Sequence, residues 1–264
     1  MTIVVKVGGA LGNALDPVVS DLAGRKDFVL VHGGSSEVDR LGTALGRPSG
    51  YYTSPSGVVS RRSDAAHLEV VVLALAGKVQ TEIVAAFARR GVRAVGLSGV
   101  DDRLLLARRK EGARAVVDGR TVRVADDLSG TVERVNVQLL RLLLDVGIAP
   151  VVGPPAMTES GEVVNVDADR VAARVAVAVS AEALLLLTNV PGLLRDPDDP
   201  TSRIGRVPRV EIESILPFAR GRMRKKVLAA RDALDGGVPR VVIGPSGVPA
   251  PVTAALEGHG TVFE

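Results

Sequence analysis

The chain has no cysteine and no tryptophan, and its aromatic side chains are two tyrosines and four phenylalanines. Without cysteine there are no disulfides, thiolate nucleophiles, iron–sulfur clusters or cysteine-based zinc sites. Six aromatics in 264 residues also disfavour a surface that stacks nucleobases. The histidines, His32, His67 and His259, lie far apart without metal-ligand spacing, so no protein-held metal is expected. Lysine is scarce too, six residues against 27 arginines. Codon bias accounts for most of this imbalance. A lysine that persists against it can nevertheless mark a position where a compact ammonium is needed and a planar guanidinium would not fit.

Charge of one sign is also lacking. The formal net charge is only +3, which gives no support to nucleic-acid binding. Locally, Arg108, Arg109, Lys110 and Arg114 cluster, as do Arg220, Arg222, Arg224, Lys225 and Lys226. Such runs are either solvated faces or marks of an anionic partner. No basic leader with a cleavage site opens the sequence. The apolar stretch from Val171 to Leu187 is interrupted by Arg174 and Glu182, so it reads as helix, break and buried strand rather than a membrane span. A soluble cytoplasmic protein is expected.

What is present is a 46% apolar chain, long enough for one large α/β domain or two modest lobes. Short β-branched runs alternate with helical patterns throughout. Ile3–Val7, Phe28–Val31, Ala94–Leu97, Pro150–Val152, Leu184–Leu187 and Val241–Ile243 read as strands. Their near-continuous apolar character suits a parallel sheet covered on both faces. Helices are expected near Pro17–Ala23, Glu37–Leu45, Asp64–Arg90, Val132–Asp145, Ala168–Val179 and Arg222–Leu234. Gly91, Gly147 and Gly236-Gly237 follow three of them as left-handed caps. Leu104–Arg108, Arg114–Val117 and Thr121–Val124 are short and alternating, with Asp118-Gly119 as a hairpin turn. They predict a small antiparallel excursion.

Two strands exit in the same way, one into Lys6-Val7-Gly8-Gly9 and the next into His32-Gly33-Gly34-Ser35. Glycines at the carboxyl ends of parallel strands let backbone N–H groups approach an anion, and a lysine adds compact positive charge. Either diglycine alone is just a turn; the pair describes a phosphate-binding rim. The Walker, dinucleotide-binding and protein-kinase fingerprints are absent from the sequence.

Together with Ser60-Arg61, Gly96-Leu97-Ser98-Gly99, Gly130-Thr131-Val132, Asn165-Val166-Asp167-Ala168-Asp169, Thr188-Asn189-Val190-Pro191-Gly192-Leu193 and Gly221-Arg222-Met223-Arg224-Lys225-Lys226, this order of motifs resembles the amino-acid kinase family. Within it the chain is most similar to the acetylglutamate kinase branch, and there to kinases acting on an amino acid borne by a small acidic carrier protein, LysW. The resemblance implies an α/β fold, a three-layer αβα sandwich around a mainly parallel open sheet. It also implies an N-terminal lobe, 1–170, for the acceptor and an ATP-binding lobe, 171–264. The implied reaction is ATP-dependent phosphorylation of the side-chain carboxylate of carrier-bound aminoadipate or glutamate to an acyl phosphate, in lysine or arginine biosynthesis. The alternative is phosphorylation of free N-acetylglutamate. A non-catalytic nucleotide sensor is disfavoured by the presence of Lys6, Asp169 and Lys226.

The roles follow by resemblance. Lys6 would bridge the transferring phosphoryl group, Lys226 would stabilise the leaving side, and Asp169 would hold both ammonium groups; a plain helix-start role for Asp169 also fits the sequence. Arg61 would clamp the acceptor's α-carboxylate, and Asn165 would help bind the amino-acid portion. Gly8, Gly9, Gly33 and Gly34 would offer backbone N–H groups, with Gly33 and Gly34 on the acceptor side. Thr188, Asn189, Gly192 and Leu193 would border the nucleotide. Mg²⁺ would ride on the ATP phosphates, mostly through water. Arg108, Arg109 and Lys110 are candidates for meeting the acidic carrier, although a solvated hairpin explains them equally well. The sequence starts at its first strand, without the N-terminal helix of arginine-inhibited hexamers, so a homodimer is expected.

Overall fold

The apolar strands pair into one eight-stranded sheet in the computed structural model, which describes residues 2–9, 12–53, 59–111, 114–117, 120–124 and 126–264. The strand order is Arg206–Val207, Thr261–Phe263, Val241–Pro245, Ala183–Thr188, Ile3–Val7, Phe28–His32, Ala149–Gly153 and Ala94–Ser98. All neighbours are parallel except Val241–Pro245 and Thr261–Phe263.

Alternation along each strand creates two cores. Val4, Val29, Val31, Leu184, Leu186, Val241 and Ile243 face the Ala168–Ala178 and Arg222–Asp235 helices. Val5, Phe28, Leu30, Leu185, Leu187 and Val242 face the other way, against Leu15–Leu22, Pro251–Leu256 and the Ile83–Phe87 end of a long helix. Burying each such side chain contributes about 1.5–3 kcal/mol. Helix, sheet and helix form the expected sandwich.

That long helix runs Ala65–Ala88, close to the predicted span, with a π-helical segment at Leu73–Val79. By length and composition alone it could cross a membrane, but 44% of its apolar window is buried inside the fold.

Two features depart from the sequence reading. Gly130–Val135 is a strand, so the helix predicted from Val132 begins only at Val137, where the Asn136 side chain accepts from the Leu139 N–H. The new strand pairs antiparallel with Leu105–Arg109 in a second, four-stranded sheet that also holds Ala156–Met157 and Val163–Val164. Arg114–Val117 and Arg120–Arg123 form the predicted antiparallel pair, separate from that sheet; the Asp118-Gly119 turn lies outside the described residues.

Candidate active site

Strand parity places the first functional side chain. Lys6 shares a face with Val4, the face covered by the helices that carry Asp169 and Lys226. It lies on a central strand, opposite Leu186 on one side and Val31 on the other. Asp169 sits in the first turn of Ala168–Ala178 but is not the cap. Asp167 caps that helix, accepting from the N–H groups of Asp169 and Arg170, which leaves the Asp169 carboxylate for the lysines.

Lys6 Nζ is 2.7 Å from Asp169 Oδ1, and Lys226 Nζ is 3.0 Å from both carboxylate oxygens. All three residues are buried, 5–7% exposed. Burial alone would push the Asp169 carboxyl up, yet the Lys226 and Lys6 ammonium groups hold it well below the usual carboxylate range. Burial pulls Lys6 down, but Asp169 outweighs it and the pKa is raised. For Lys226, burial and repulsion from Lys6 outweigh Asp169 and lower it. One carboxylate shared by two ammonium groups leaves about one net positive charge in a dry place. Such a charge attracts a phosphoryl group whose own charge grows toward the transition state.

The two diglycine turns meet beside this trio. A Cβ on Gly9 would lie 2.2 Å from the Gly34 backbone, so only glycine permits the approach. Ser36 locks the contact, its N–H and hydroxyl both donating to the Gly9 carbonyl. One expectation is corrected here. The N–H groups of Gly8 and Gly33 continue the sheet, donating to Leu187 and Val7 carbonyls, and are not open to an anion. The amides of Gly9 and Gly34 have no such partner among the described residues. A cavity of about 210 Å³ opens beside these turns, lined also by Asn13, His32 and Glu37. His32, buried beneath the rim, is held neutral; burial lowers its pKa to about 4.

Thr188 ends the strand next to Lys6's own strand, and Asn189 follows it. Gly192 and Leu193 are tied to Thr261, whose hydroxyl accepts from the Leu193 N–H at 2.8 Å. Leu193 itself is buried in the core.

The acceptor candidates form a second group, outside the main sheet. Arg61 ends the Val59–Arg61 strand and donates to both Asp39 oxygens at 2.8 and 2.7 Å, and to the Tyr51 hydroxyl at 2.9 Å. Among the described residues these bonds all come from Nη2. Asp39 and Tyr51 escaped the sequence reading. The available signal was spacing: Asp39 lies one helical turn after Ser35, whose carbonyl also meets Arg61. Asn165 donates to the Ser63 hydroxyl at 3.0 Å and bridges Ser129. Among the described residues, no three His, Cys, Asp or Glu side chains gather to hold a metal ion.

The basic triplet divides. Arg108 pairs with Glu133 and Arg109 with Glu162, each at 2.7 Å, whereas Lys110 has no carboxylate within 4 Å among the described residues.

The model of the amino acid kinase family matches residues 1–245. A LysW-aminoadipate kinase from Deinococcus radiodurans is 48% identical over 264 residues, covering 98% of this chain and 90% of that protein. A second, from Thermus thermophilus, is 43% identical and covers 98% and 99%. An acetylglutamate kinase from Methanopyrus kandleri is 39% identical, covering 98% of each. Among solved structures, N-acetylglutamate synthase from Neisseria gonorrhoeae, complexed with coenzyme A and N-acetylglutamate, aligns with a TM-score of 0.78 and 28% identity. That alignment takes in 99% of this chain, which spans 59% of the synthase chain.

Proposed function

The chain belongs to the amino acid kinase family, and we propose that it transfers the γ-phosphoryl group of ATP to the side-chain carboxylate of aminoadipate carried on a LysW-type protein, in lysine biosynthesis. The observation that carries this reading is the Lys6–Asp169–Lys226 trio beside two facing diglycine turns, in a chain whose relatives act on that acceptor by name. Attack of a carboxylate on a phosphoryl group brings negative charges together, so positioned cations do most of the work. Lys6 holds the transferring group from the acceptor side, and Lys226 stabilises the departing oxygen. Asp169 fixes both ammonium groups and touches neither reactant.

Gly9 and Gly34 offer amides to the phosphates, and Arg61 and Asn165 hold the amino-acid portion. Thr188, Asn189 and Gly192 border the nucleotide, which makes 171–264 the ATP side and 1–170 the acceptor side. Asp169 is occupied by lysines, and Asp167 by helix N–H groups and Lys225. Neither carboxylate therefore fits as an open magnesium ligand. Mg²⁺ enters on the ATP phosphates and water, supplying charge neutralisation there.

The acidic carrier docks over the Arg108, Arg109 and Lys110 edge and the start of the Arg222–Asp235 helix. At that helix start, Arg220, Arg222 and Arg224 are exposed and lack a carboxylate partner among the described residues. Such charges mainly speed and orient the encounter. A cytoplasmic homodimer completes the proposal, with exposed Val72 and Leu73 of the long helix covered by a second copy.

The test is incubation with ATP, magnesium and hydroxylamine, trapping the acyl phosphate as hydroxamate. Aminoadipate-loaded carrier should give hydroxamate at a kcat/KM far above that of free N-acetylglutamate. The reverse preference would make the chain an acetylglutamate kinase.

A further inference from the structure

One buried titratable group beside the reaction site has no task in the chemistry described so far, the His32 ring. His32 ends its strand opposite Val7, and alternation puts its side chain on the face of Phe28 and Leu30. Lys6 lies on the other face, that of Val4 and Val31.

The ring is packed in place. It is 1% exposed, and a Cβ on Gly153 would lie 2.4 Å from its Nε2, so glycine there leaves the room it needs. Nδ1 stands 3.2 Å from the Gly33 carbonyl oxygen. A carbonyl only accepts, so this contact is a hydrogen bond when the single proton of the neutral ring is on Nδ1. The competing tautomer would direct an Nε2 proton at the nearby Gln80 carboxamide. That bond is not made: Nε2 and the Gln80 Oε1 are both buried without a partner among the described residues.

What the ring holds is one end of a peptide. The Gly33 carbonyl and the Gly34 N–H belong to the same trans unit, so they point in opposite directions. With the carbonyl drawn toward the His32 face, the Gly34 N–H is turned toward the face of Lys6. The adjoining groups are already committed. The Gly33 N–H donates to the Val7 carbonyl, and the Gly34 carbonyl accepts from the Val38 N–H. A Cβ on Gly33 would meet Ala168 at 3.7 Å, which sets the turn against the helix that carries Asp169. A peptide flanked by two glycines has little intrinsic preference for one orientation. The anchored carbonyl therefore decides where its N–H points.

Resting on the phosphoryl transfer proposed above, we infer that His32 is a positioning residue: its Nδ1–H pins the Gly33 carbonyl and thereby aims the Gly34 N–H at the transferring phosphoryl group. The ring touches no reactant. It keeps a donor aimed where negative charge grows toward the transition state.

The experiment compares wild type with His32→Asn, His32→Gln and His32→Leu. Asparagine carries its Nδ2 on Cγ, as histidine carries Nδ1, whereas the glutamine nitrogen is one atom farther out. Kinetics use ATP, magnesium and whichever acceptor the wild type prefers, carrier-linked aminoadipate or N-acetylglutamate. In His32→Leu and His32→Gln, kcat should fall about 10- to 100-fold with little change in KM for the acceptor. His32→Asn should recover most of that loss. In the wild type, ¹⁵N magnetic resonance of the ring at pH 7 should find the proton on Nδ1. A proton on Nε2 would overturn the inference, as would equal kcat losses in His32→Asn and His32→Gln, or wild-type kcat in His32→Leu. A wild type that phosphorylates neither acceptor removes the function proposed above, while the ring tautomer still tests the anchor. The two failures are therefore distinguishable.

Discussion

In the proposed reaction, the Lys6–Asp169–Lys226 trio and the Arg61 rim solve different problems with the same kinds of side chain. Lys6, Asp169 and Lys226 come from a central strand and two packed helices, and all three are buried. Arg61 comes from a two-stranded excursion, and its partner Asp39 has a side chain 39% exposed. Chemistry that needs positions fixed to fractions of an ångström sits on the rigid frame. The proposed recognition sits on added strands, where length and charge can vary without disturbing the sheet.

The largest expected effect breaks the first half of that comparison. Asp169→Asn leaves two buried ammonium groups without a counter-ion, so kcat should fall by about 10³-fold and stability by about 3–5 kcal/mol. Steady-state kinetics and urea unfolding measure the two losses. Since the folded pKa of Asp169 is depressed, its contribution is complete above the ordinary carboxylate range and disappears only in strong acid.

A second effect belongs to the same dry interior. His32 is neutral until its folded pKa of about 4, whereas the unfolded chain takes up that proton near 6.5. The unfolded state therefore binds more protons between these values, and stability falls as pH drops through that window. The full shift corresponds to about 3 kcal/mol. Urea unfolding at pH 7 and pH 4 should show this fall, and His32→Gln should flatten it.

The rim should respond more gently and in a different parameter. Arg61→Lys loses the planar fork, so KM for the acceptor should rise about tenfold or more while kcat changes little. Asp39→Asn should shift KM in the same direction by less, because it loosens the orientation of Arg61 without removing it. A fall in kcat with unchanged KM in either variant would erase the distinction between frame and rim. Smallest of all, Arg108→Glu with Arg109→Glu should weaken use of the carrier-linked acceptor a few-fold, and more steeply at low salt.

The frame was far more legible in the sequence than the rim. Buried parallel strands announce themselves as apolar runs, and the glycine, lysine and aspartate motifs fall at their ends. Val132–Val135 reads as the start of a helix because its alternation runs directly into the helical period of Val137–Leu144; Asn136, a capping residue, marks the true boundary. The Arg61–Asp39 pair joins positions 22 residues apart on two different elements, and no local pattern reports such a meeting. The basic triplet is uniform in sequence, yet Arg108 meets Glu133 and Arg109 meets Glu162, pairings across strands that no local pattern reports.

The central claim is that the shared-carboxylate trio carries the phosphoryl transfer, and Lys6→Arg tests it most directly. The substitution keeps the charge but replaces a compact ammonium, 2.7 Å from Asp169, with a larger planar group. With circular dichroism confirming the fold, kcat at saturating ATP and acceptor should fall by about 10²-fold or more. A Lys6→Arg protein with wild-type kcat would contradict the account.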